Sequence, residues 1–178
     1  RFYAVTPKGR TLYDECLAGR TSASKVASSD DSNPFEPFPR TLPGLFERGL
    51  VHAMFEPARA ALDADVELST TDLMQLVKQG VLRCRGMRYE DFLPISAAGI
   101  FASNLDQYGT DSTADHRPTY LREEFEEIVG CSIIDTVDAY RSLQARSILS
   151  AFISLGMEHL LNESERASLE EDVAGLSV

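Results

Sequence analysis

STTDLMQLVKQGVLRCR, residues 69–85, decides the fold class, because a helix pattern changes to a strand pattern within it. Ser69, Thr70 and Asp72 are of helix-capping residue types and precede apolar residues at helical spacing. These apolar residues are Leu73, Leu76 and Val77. Gly80 is a typical helix terminator, and residues 81–85 then have the composition of a strand. A strand that follows a helix so closely indicates a mixed fold.

The remainder of the chain alternates in the same way between short strands and helices. Thr6 and Pro7 mark a helix start, because threonine caps and proline at the first helical position loses no needed donor. Gly49 and Gly130 are predicted to stop two later helices. Strands are predicted at residues 2–6 and 50–55, and helices at 7–19, 45–48, 120–129 and 134–155. We therefore predict an α+β fold with mixed short strands, several helices and a helix-rich C-terminal half.

The two longest predicted helices have apolar residues that are expected to face the core. In the first helix these are Leu12, Cys16 and Leu17. In the helix at 134–155 they are Val137, Tyr140, Leu143, Ile148, Phe152 and Leu155. Residues 21–33, TSASKVASSDDSN, are small and polar without a period, which predicts a flexible loop. Residues 158–178 are acidic and are expected to form a peripheral helix or a tail.

The charge and composition limit the partners of the chain. The formal net charge is −11, from 28 acidic and 17 basic residues, which disfavours binding to nucleic acid. No apolar run is long enough to span a membrane, and residues 1–10 lack the pattern of a signal peptide. The cysteines, Cys16, Cys84 and Cys131, include no CxxC pair and are expected to be buried or half-buried thiols in a reducing compartment. We expect a soluble protein, cytoplasmic or organellar, that binds neither nucleic acid nor membrane.

YEDFLPISAAGIFASNL, residues 89–105, follows neither a helix nor a strand period, which is typical of a segment that lines a site. Ser96 follows a proline stop and precedes a small-residue run, so it can begin a helix. Its hydroxyl and the free backbone N–H groups there can either receive a carboxylate or form an ordinary helix cap. Asn104 can either bind a ligand or hold a loop in place. The residues alone leave both alternatives open.

Other chemical sites have weaker support. His52 and Glu56 lie four residues apart on a predicted strand and present two metal-ligand types without a third. His116 lies in a predicted polar loop, and His159 lies near the acidic tail and is expected to face solvent, so neither is expected to bind metal. No nucleophile elbow or phosphate loop is present. Residues 83–88, RCRGMR, contain three arginines that form either a charged turn or a local attraction for a small anion.

Four motifs in order resemble the 2-oxoadipate dioxygenase/decarboxylase family, also called hydroxyglutarate synthases. They are TPKGRTLYD at residues 6–14, an FP-rich segment and glycine-leucine strand at 38–55, the 89–105 segment, and AYRSLQARSI at 139–148. A shorter likeness, VTPKGRTL at residues 5–12, is similar to a motif of winged-helix transcription regulators. The acidic charge disfavours that second reading. A non-catalytic binding or structural domain is the other alternative.

The family resemblance implies a non-haem Fe(II) enzyme of lysine catabolism with a fold related to the vicinal oxygen chelate proteins. Such an enzyme converts 2-oxoadipate and O₂ to 2-hydroxyglutarate and CO₂. The resemblance implies that residues 1–157 form the C-terminal portion of this domain, with the metal ligands upstream, so no metal ligand or catalytic residue is assigned here. It assigns the substrate carboxylate to Ile95 and Ser96. The expected partners are a 2-oxo diacid and the upstream half of the same polypeptide, and the isolated chain is expected to be inactive.

Overall fold

A computed structural model of the chain describes residues 3–23, 33, 35–62, 69–87 and 122–175. The chain divides into two compact units, one of residues 1–89 and 136–178 and the other of residues 90–135. The described elements are, in chain order, α1 Pro7–Ala23, α2 Leu42–Glu47, β1 Ala53–Pro57, α3 Arg59–Leu62, α4 Leu73–Lys78, β2 Leu82–Gly86, α5 Arg122–Val129, α6 Thr136–Ser154, a 3₁₀ turn Glu158–Leu160 and α7 Glu163–Ala174. Helices combined with a small sheet confirm the α+β class.

The predicted helix and strand of residues 69–85 are confirmed as α4 and β2. The carboxylate of Asp72 accepts hydrogen bonds from the backbone N–H groups of Met74 at 2.8 Å and Gln75 at 3.0 Å. It thereby satisfies two of the four N–H groups that a helix leaves without an internal partner. Gly80 has a φ of 74°, a conformation that glycine adopts without strain and that ends α4.

Three helices of the first unit end in the same way. After α2, α4 and α6, a glycine with positive φ and the residue that follows it donate hydrogen bonds back to carbonyls of the last turn. This Schellman arrangement turns the chain sharply, so that the following residue points into the protein. The three following residues, Leu50, Val81 and Met157, are only 1%, 5% and 2% exposed. Each helix end therefore sends an apolar side chain into the core.

The sheet of the first unit has two antiparallel strands, β1 and β2, with Ala53 opposite Gly86 and Phe55 opposite Cys84. The predicted strand at residues 2–6 is reduced to a short bridged segment that begins where β1 and β2 diverge. The Ala4 N–H donates to the Met87 carbonyl at 2.9 Å, and the Ala4 carbonyl accepts from the His52 N–H at 2.8 Å. The strand predicted at residues 50–55 is observed as β1, three residues later, because this N-terminal segment occupies the space beside its first residues.

The core lies between the sheet, α4 and α6. Its buried members are Ala53, Phe55, Leu76, Val81, Leu82, Ile148, Ala151, Phe152 and Met157. The prediction of which α6 side chains face inward was partly wrong, because Leu143 is 39% exposed whereas Ser142 and Ala145 are buried. Both β1 and α7 pack against α6, and the Ser142 hydroxyl donates to the Val173 carbonyl of α7 at 3.2 Å.

The first helix, α1, begins as predicted, with the Thr6 hydroxyl accepting the Gly9 N–H at 3.0 Å. It continues to Ala23 and so includes Gly19, the predicted end. The first three residues of the predicted loop at 21–33 are therefore helical, because none of them is a strong helix breaker. Cys16 is buried as expected, but Leu17 is exposed. Of the other cysteines, Cys84 is half-buried as expected, whereas Cys131 is exposed, so the expectation of burial was wrong for Cys131.

The second unit is described only at residues 122–135. α5 confirms most of the helix predicted at 120–129, and Gly130 ends it with a φ of 72°. The Glu126 carboxylate accepts the Ile133 N–H at 2.7 Å and pairs with Arg122 at 3.1 Å. These contacts hold the pKa of Glu126 below its ordinary value, chiefly through the hydrogen bond from Ile133. No helix in the described parts of either unit is long and apolar enough to cross a membrane.

Candidate functional site

One side of α6 lies along the outer edge of β1 and supplies hydrogen-bond acceptors to that strand. The Gln144 side-chain carbonyl accepts the Ala53 N–H at 3.0 Å. The Ser147 hydroxyl accepts the Phe55 N–H at 3.1 Å while donating to the Gln144 backbone carbonyl at 2.7 Å. Residues three apart on a helix share a face, and residues two apart on a strand share an edge, so the two pairs are in register. Side chains of α6 thus replace a neighbouring strand at this edge.

His52 lies at the start of this junction and is the buried histidine of the described chain, only 7% exposed. Its ring centroid lies 5.9 Å from that of Tyr140, one helical turn before Gln144 on α6. Burial, and secondarily the positive charge of Arg141, lower the pKa of His52 from its ordinary value of 6.5. The imidazole is therefore neutral at pH 7.

The Nε2 atom of His52 is buried without a hydrogen-bond partner among the described residues. A neutral imidazole has one donor nitrogen and one acceptor nitrogen, so its chemistry suits a metal ligand, a proton acceptor or a hydrogen-bond partner. A buried polar atom without a partner carries a free-energy cost of about 1–3 kcal/mol. His52 is consequently the polar group of this junction whose surroundings are least explained by the described fold.

The described residues do not provide a metal site around His52. Within ranges 3–23, 33, 35–62, 69–87 and 122–175, no three histidine, cysteine or acidic side chains converge as metal ligands. Glu56, the other member of the sequence pair, forms an ion pair with Arg85 at 2.7 Å on the exposed face of the sheet. His159 is exposed and its ring bonds the Gly156 carbonyl, whereas His116 lies outside the described residues. A two-histidine, one-carboxylate set therefore does not fit this part of the chain.

The arginine run at residues 83–88 is divided by the strand on which it lies. Arg83 and Arg85 lie on the exposed face of β2. Arg83 is directly opposite Glu56 in the register of the sheet, and Arg85 forms an ion pair with Glu56. The described contacts support a charged sheet surface and not a pocket for an anion. Arg88 lies outside the described residues.

The predicted substrate residues Ile95 and Ser96 also lie outside the described residues, as does Asn104, so their roles remain predictions. Sequence reasoning placed 139–148 in a helix but did not identify the polar contacts of Gln144 and Ser147 with β1. The spacing of Tyr140, Gln144 and Ser147, at intervals of four and three, was the available signal. It was not decisive, because such a row faces either solvent or a partner.

Comparison with known proteins identifies the family of the chain. The chain belongs to the 2-oxoadipate dioxygenase/decarboxylase family, whose sequence model matches residues 1–104. It is 33% identical over 165 residues to the 2-oxoadipate dioxygenase/decarboxylase of Pseudomonas putida, covering 86% of this chain and 35% of that protein. The enzyme of the same name from Escherichia coli K12 is 32% identical over 151 residues, covering 83% of this chain and 33% of that protein. The family resemblance drawn from the four sequence motifs is confirmed.

Solved structures agree with this assignment. The crystal structure of the hydroxyglutarate synthase from Pseudomonas putida in complex with 2-oxoadipate is similar with a TM-score of 0.62 and 31% identity, over 86% of this chain and 34% of that one. A second crystal structure of that synthase gives a TM-score of 0.59 and 27% identity, over 86% and 33%. The chain thus spans about a third of the length of the curated relatives it matches.

Proposed function

We propose that the polypeptide containing this chain is a non-haem Fe(II) dioxygenase/decarboxylase that converts 2-oxoadipate and O₂ to 2-hydroxyglutarate and CO₂. The observation that carries the proposal is the family match over residues 1–104, which includes most of the 89–105 motif. It is supported by the likeness to a synthase crystallised with 2-oxoadipate. We further propose a role in lysine catabolism and a fold related to the vicinal oxygen chelate proteins for the complete domain. A soluble location, cytoplasmic or organellar, remains part of the same proposal.

This chain would contribute the wall of the site that binds the substrate carboxylate. We assign this contact to Ile95, through its backbone, and to Ser96, through its hydroxyl. A hydroxyl donates to a carboxylate with a charge-assisted hydrogen bond, which is stronger than a neutral one and fixes the orientation of the diacid. Correct placement of the 2-oxo acid is the main contribution expected of these residues, because oxygen must reach one particular carbon.

The iron would be held by residues outside this sequence, in the upstream part of the polypeptide. Glu56 is paired with Arg85 and His52 is buried beside Tyr140, so the two do not form a donor set, and no other group of metal ligands is found among the described residues. Bound iron would supply the oxygen chemistry of the reaction. The upstream part is accordingly the expected partner of this chain, and the isolated 178 residues are expected to be inactive.

The test is oxygen consumption by the full polypeptide, loaded with Fe(II) under anaerobic conditions and then given 2-oxoadipate in aerated buffer. We expect one CO₂ and one 2-hydroxyglutarate for each O₂ consumed, with slower turnover of the shorter 2-oxoglutarate. Ser96→Ala should raise KM about ten- to a hundredfold, the effect of losing one charge-assisted hydrogen bond. Ser103→Ala, in the same motif but without an assigned role, should leave KM unchanged. No oxygen uptake by the folded, iron-loaded polypeptide would contradict the proposal and favour a non-catalytic domain.

A further inference from the structure

The two edges of the β1–β2 sheet differ in their hydrogen bonding to the other described residues. The Ala53 and Phe55 N–H groups of β1 point to α6, where Gln144 and Ser147 accept them. In an antiparallel pair, alternate residues point to opposite edges, so Met54 and Glu56 exchange hydrogen bonds with Arg85 and Arg83 of β2. The edge of β1 that faces away from β2 is therefore covered.

The same alternation leaves three residues of β2, Leu82, Cys84 and Gly86, with backbone groups that point away from β1. Throughout the described ranges, no hydrogen bond joins these backbone groups to another segment. Cys84 and Gly86 are partly exposed. The residues adjacent to β2 that do find partners, Val81 and Met87, accept from Ala58 and Ala4 on the β1 side. Among the described residues, the outer edge of β2 consequently has no partner.

An unpaired and unprotected edge strand is unusual in the sheets of natural proteins. Two-stranded sheets are marginally stable, and natural proteins protect free edges with proline, inward-pointing charges, bulges or a covering element. β2 has none of the first three, because its sequence is LRCRG and its arginines point to the exposed face, where Arg85 is held by Glu56. The side of the strand that faces the core, with Leu82 and Cys84, is apolar.

We propose that a β-strand from the part of the polypeptide outside this sequence pairs with the outer edge of β2 and continues the sheet. This inference rests on the proposed function, in which the chain is one part of a longer enzyme, and the chain indeed covers only 35% of its Pseudomonas putida relative. Because β1 is covered by α6 and residues 3–5 lie between the strand ends, the outer edge of β2 is where the described sheet can grow. Main-chain hydrogen bonds would supply the affinity.

The chemistry of β2 defines the strand that fits it. On the core side, the partner needs apolar residues to extend the surface of Leu82 and Cys84. On the exposed side, it needs an acidic residue near Arg83, because opposite charges on neighbouring strands stabilise a pair. We therefore expect a strand with alternating apolar and polar residues and a carboxylate on its polar face.

The experiment is residue-resolved hydrogen–deuterium exchange on the full polypeptide. We expect the Cys84 and Gly86 amides to exchange about a hundredfold or more slowly than in an unfolded chain, as slowly as the inward amides of Arg83 and Arg85. Cys84→Pro removes the outward N–H while keeping an extended backbone, and Cys84→Ala is the matched control. Proline should speed exchange at Leu82 and Gly86 at least tenfold relative to alanine.

Three results would overturn the proposal. One is rapid exchange of Cys84 and Gly86 beside protected Arg83 and Arg85, and another is equal exchange in the proline and alanine variants. The third is protection that appears only as protein concentration rises, together with a dimeric mass, since this would make a second copy the occupant. If Cys84→Pro does not fold, the wild-type protein alone provides the test, through the exchange rates of Cys84 and Gly86 compared with those of Arg83 and Arg85. Hydrogen–deuterium exchange does not require turnover. A lack of oxygen uptake would therefore refute the proposed activity without affecting the test of strand pairing at β2.

Discussion

Gln144 of α6 accepts the backbone N–H of Ala53 in β1 at 3.0 Å, although the two residues lie 91 positions apart in the sequence. The contact joins α6, in the C-terminal half of the chain, to the sheet that the N-terminal half forms. It is repeated by Ser147 and Phe55, so two side chains hold one strand edge. The first unit is therefore closed by polar contacts as well as by its apolar core.

Ser147→Ala should lower the free energy of unfolding by about 1–3 kcal/mol, because the Phe55 N–H would remain buried without an acceptor. Ser150→Ala, three residues further along the same helix at an exposed position, should change it by less than about 0.5 kcal/mol. Urea unfolding of both variants measures the difference. Equal stability of the two variants would show that water replaces the Ser147 hydroxyl.

Gly9→Ala should be destabilising, because a Cβ at this position would lie 2.0 Å from the Leu50 carbonyl oxygen. The backbone of α1 and that of residue 50 must then separate, at a cost of about 1–3 kcal/mol. Gly175→Ala is the control, since its Cβ would make an ordinary contact at 3.5 Å. Thermal unfolding of the two variants compares them, and a Gly9→Ala melting temperature at or above that of the wild type would contradict the close approach.

His52 should make the chain less stable in mild acid. Its pKa is lowered in the folded state from 6.5, so below about pH 6.5 the unfolded chain binds more protons than the folded chain. The stability difference between wild type and His52→Gln should therefore shift against the wild type as pH falls from 7 to 5, by at most about 1.4 kcal/mol per pH unit. Urea unfolding across this range measures it.

His159→Gln, at an exposed histidine, is the control for this effect and should retain the pH dependence of the wild type. A pH-independent difference between wild type and His52→Gln would show that the imidazole is not buried in the neutral form.

Asp72→Ala should cost about 0.5–2 kcal/mol, because the N–H groups of Met74 and Gln75 lose their acceptor at the start of α4. Asp72→Ser keeps a capping oxygen and should recover most of that loss. Chemical denaturation of the three proteins gives the comparison. If serine is no better than alanine, the aspartate acts through its charge and not through the cap.

Local chemistry explains which elements the sequence predicted correctly. Thr6, Gly49, Gly80 and Gly130 were all assigned their roles as helix caps or stops, because each acts on backbone groups within a few residues. Asp72 was one of three candidate caps with Ser69 and Thr70, and the structure selected it. Gly156 was missed because it lies just beyond the end of the predicted helix at 134–155. The α1 end was also missed, since Gly19 is tolerated inside a helix when nothing forces the chain to turn there.

Side-chain orientation along α6 was predicted less well, since apolar spacing favoured Leu143 over Ser142 and Ala145. These small residues are buried, and both α7 and β1 pack against α6. The site was predictable only as motifs: the family assignment followed from four ordered segments, whereas the roles of Ile95 and Ser96 still await a test. The contacts of Gln144 and Ser147 could not be read from the sequence, because their partners lie about 90 residues away.

The sequence by itself determined the α+β class, the helix caps and stops, and the membership of the 2-oxoadipate dioxygenase/decarboxylase family, because these depend on short-range hydrogen bonding and on ordered motifs. Only the tertiary structure decided that His52 is buried beside Tyr140, that α6 covers one edge of β1, and that the outer edge of β2 has no partner within the described part of the chain. These features depend on which surfaces meet, and burial and hydrogen-bond satisfaction across distant segments are properties of the packed chain and not of any local stretch.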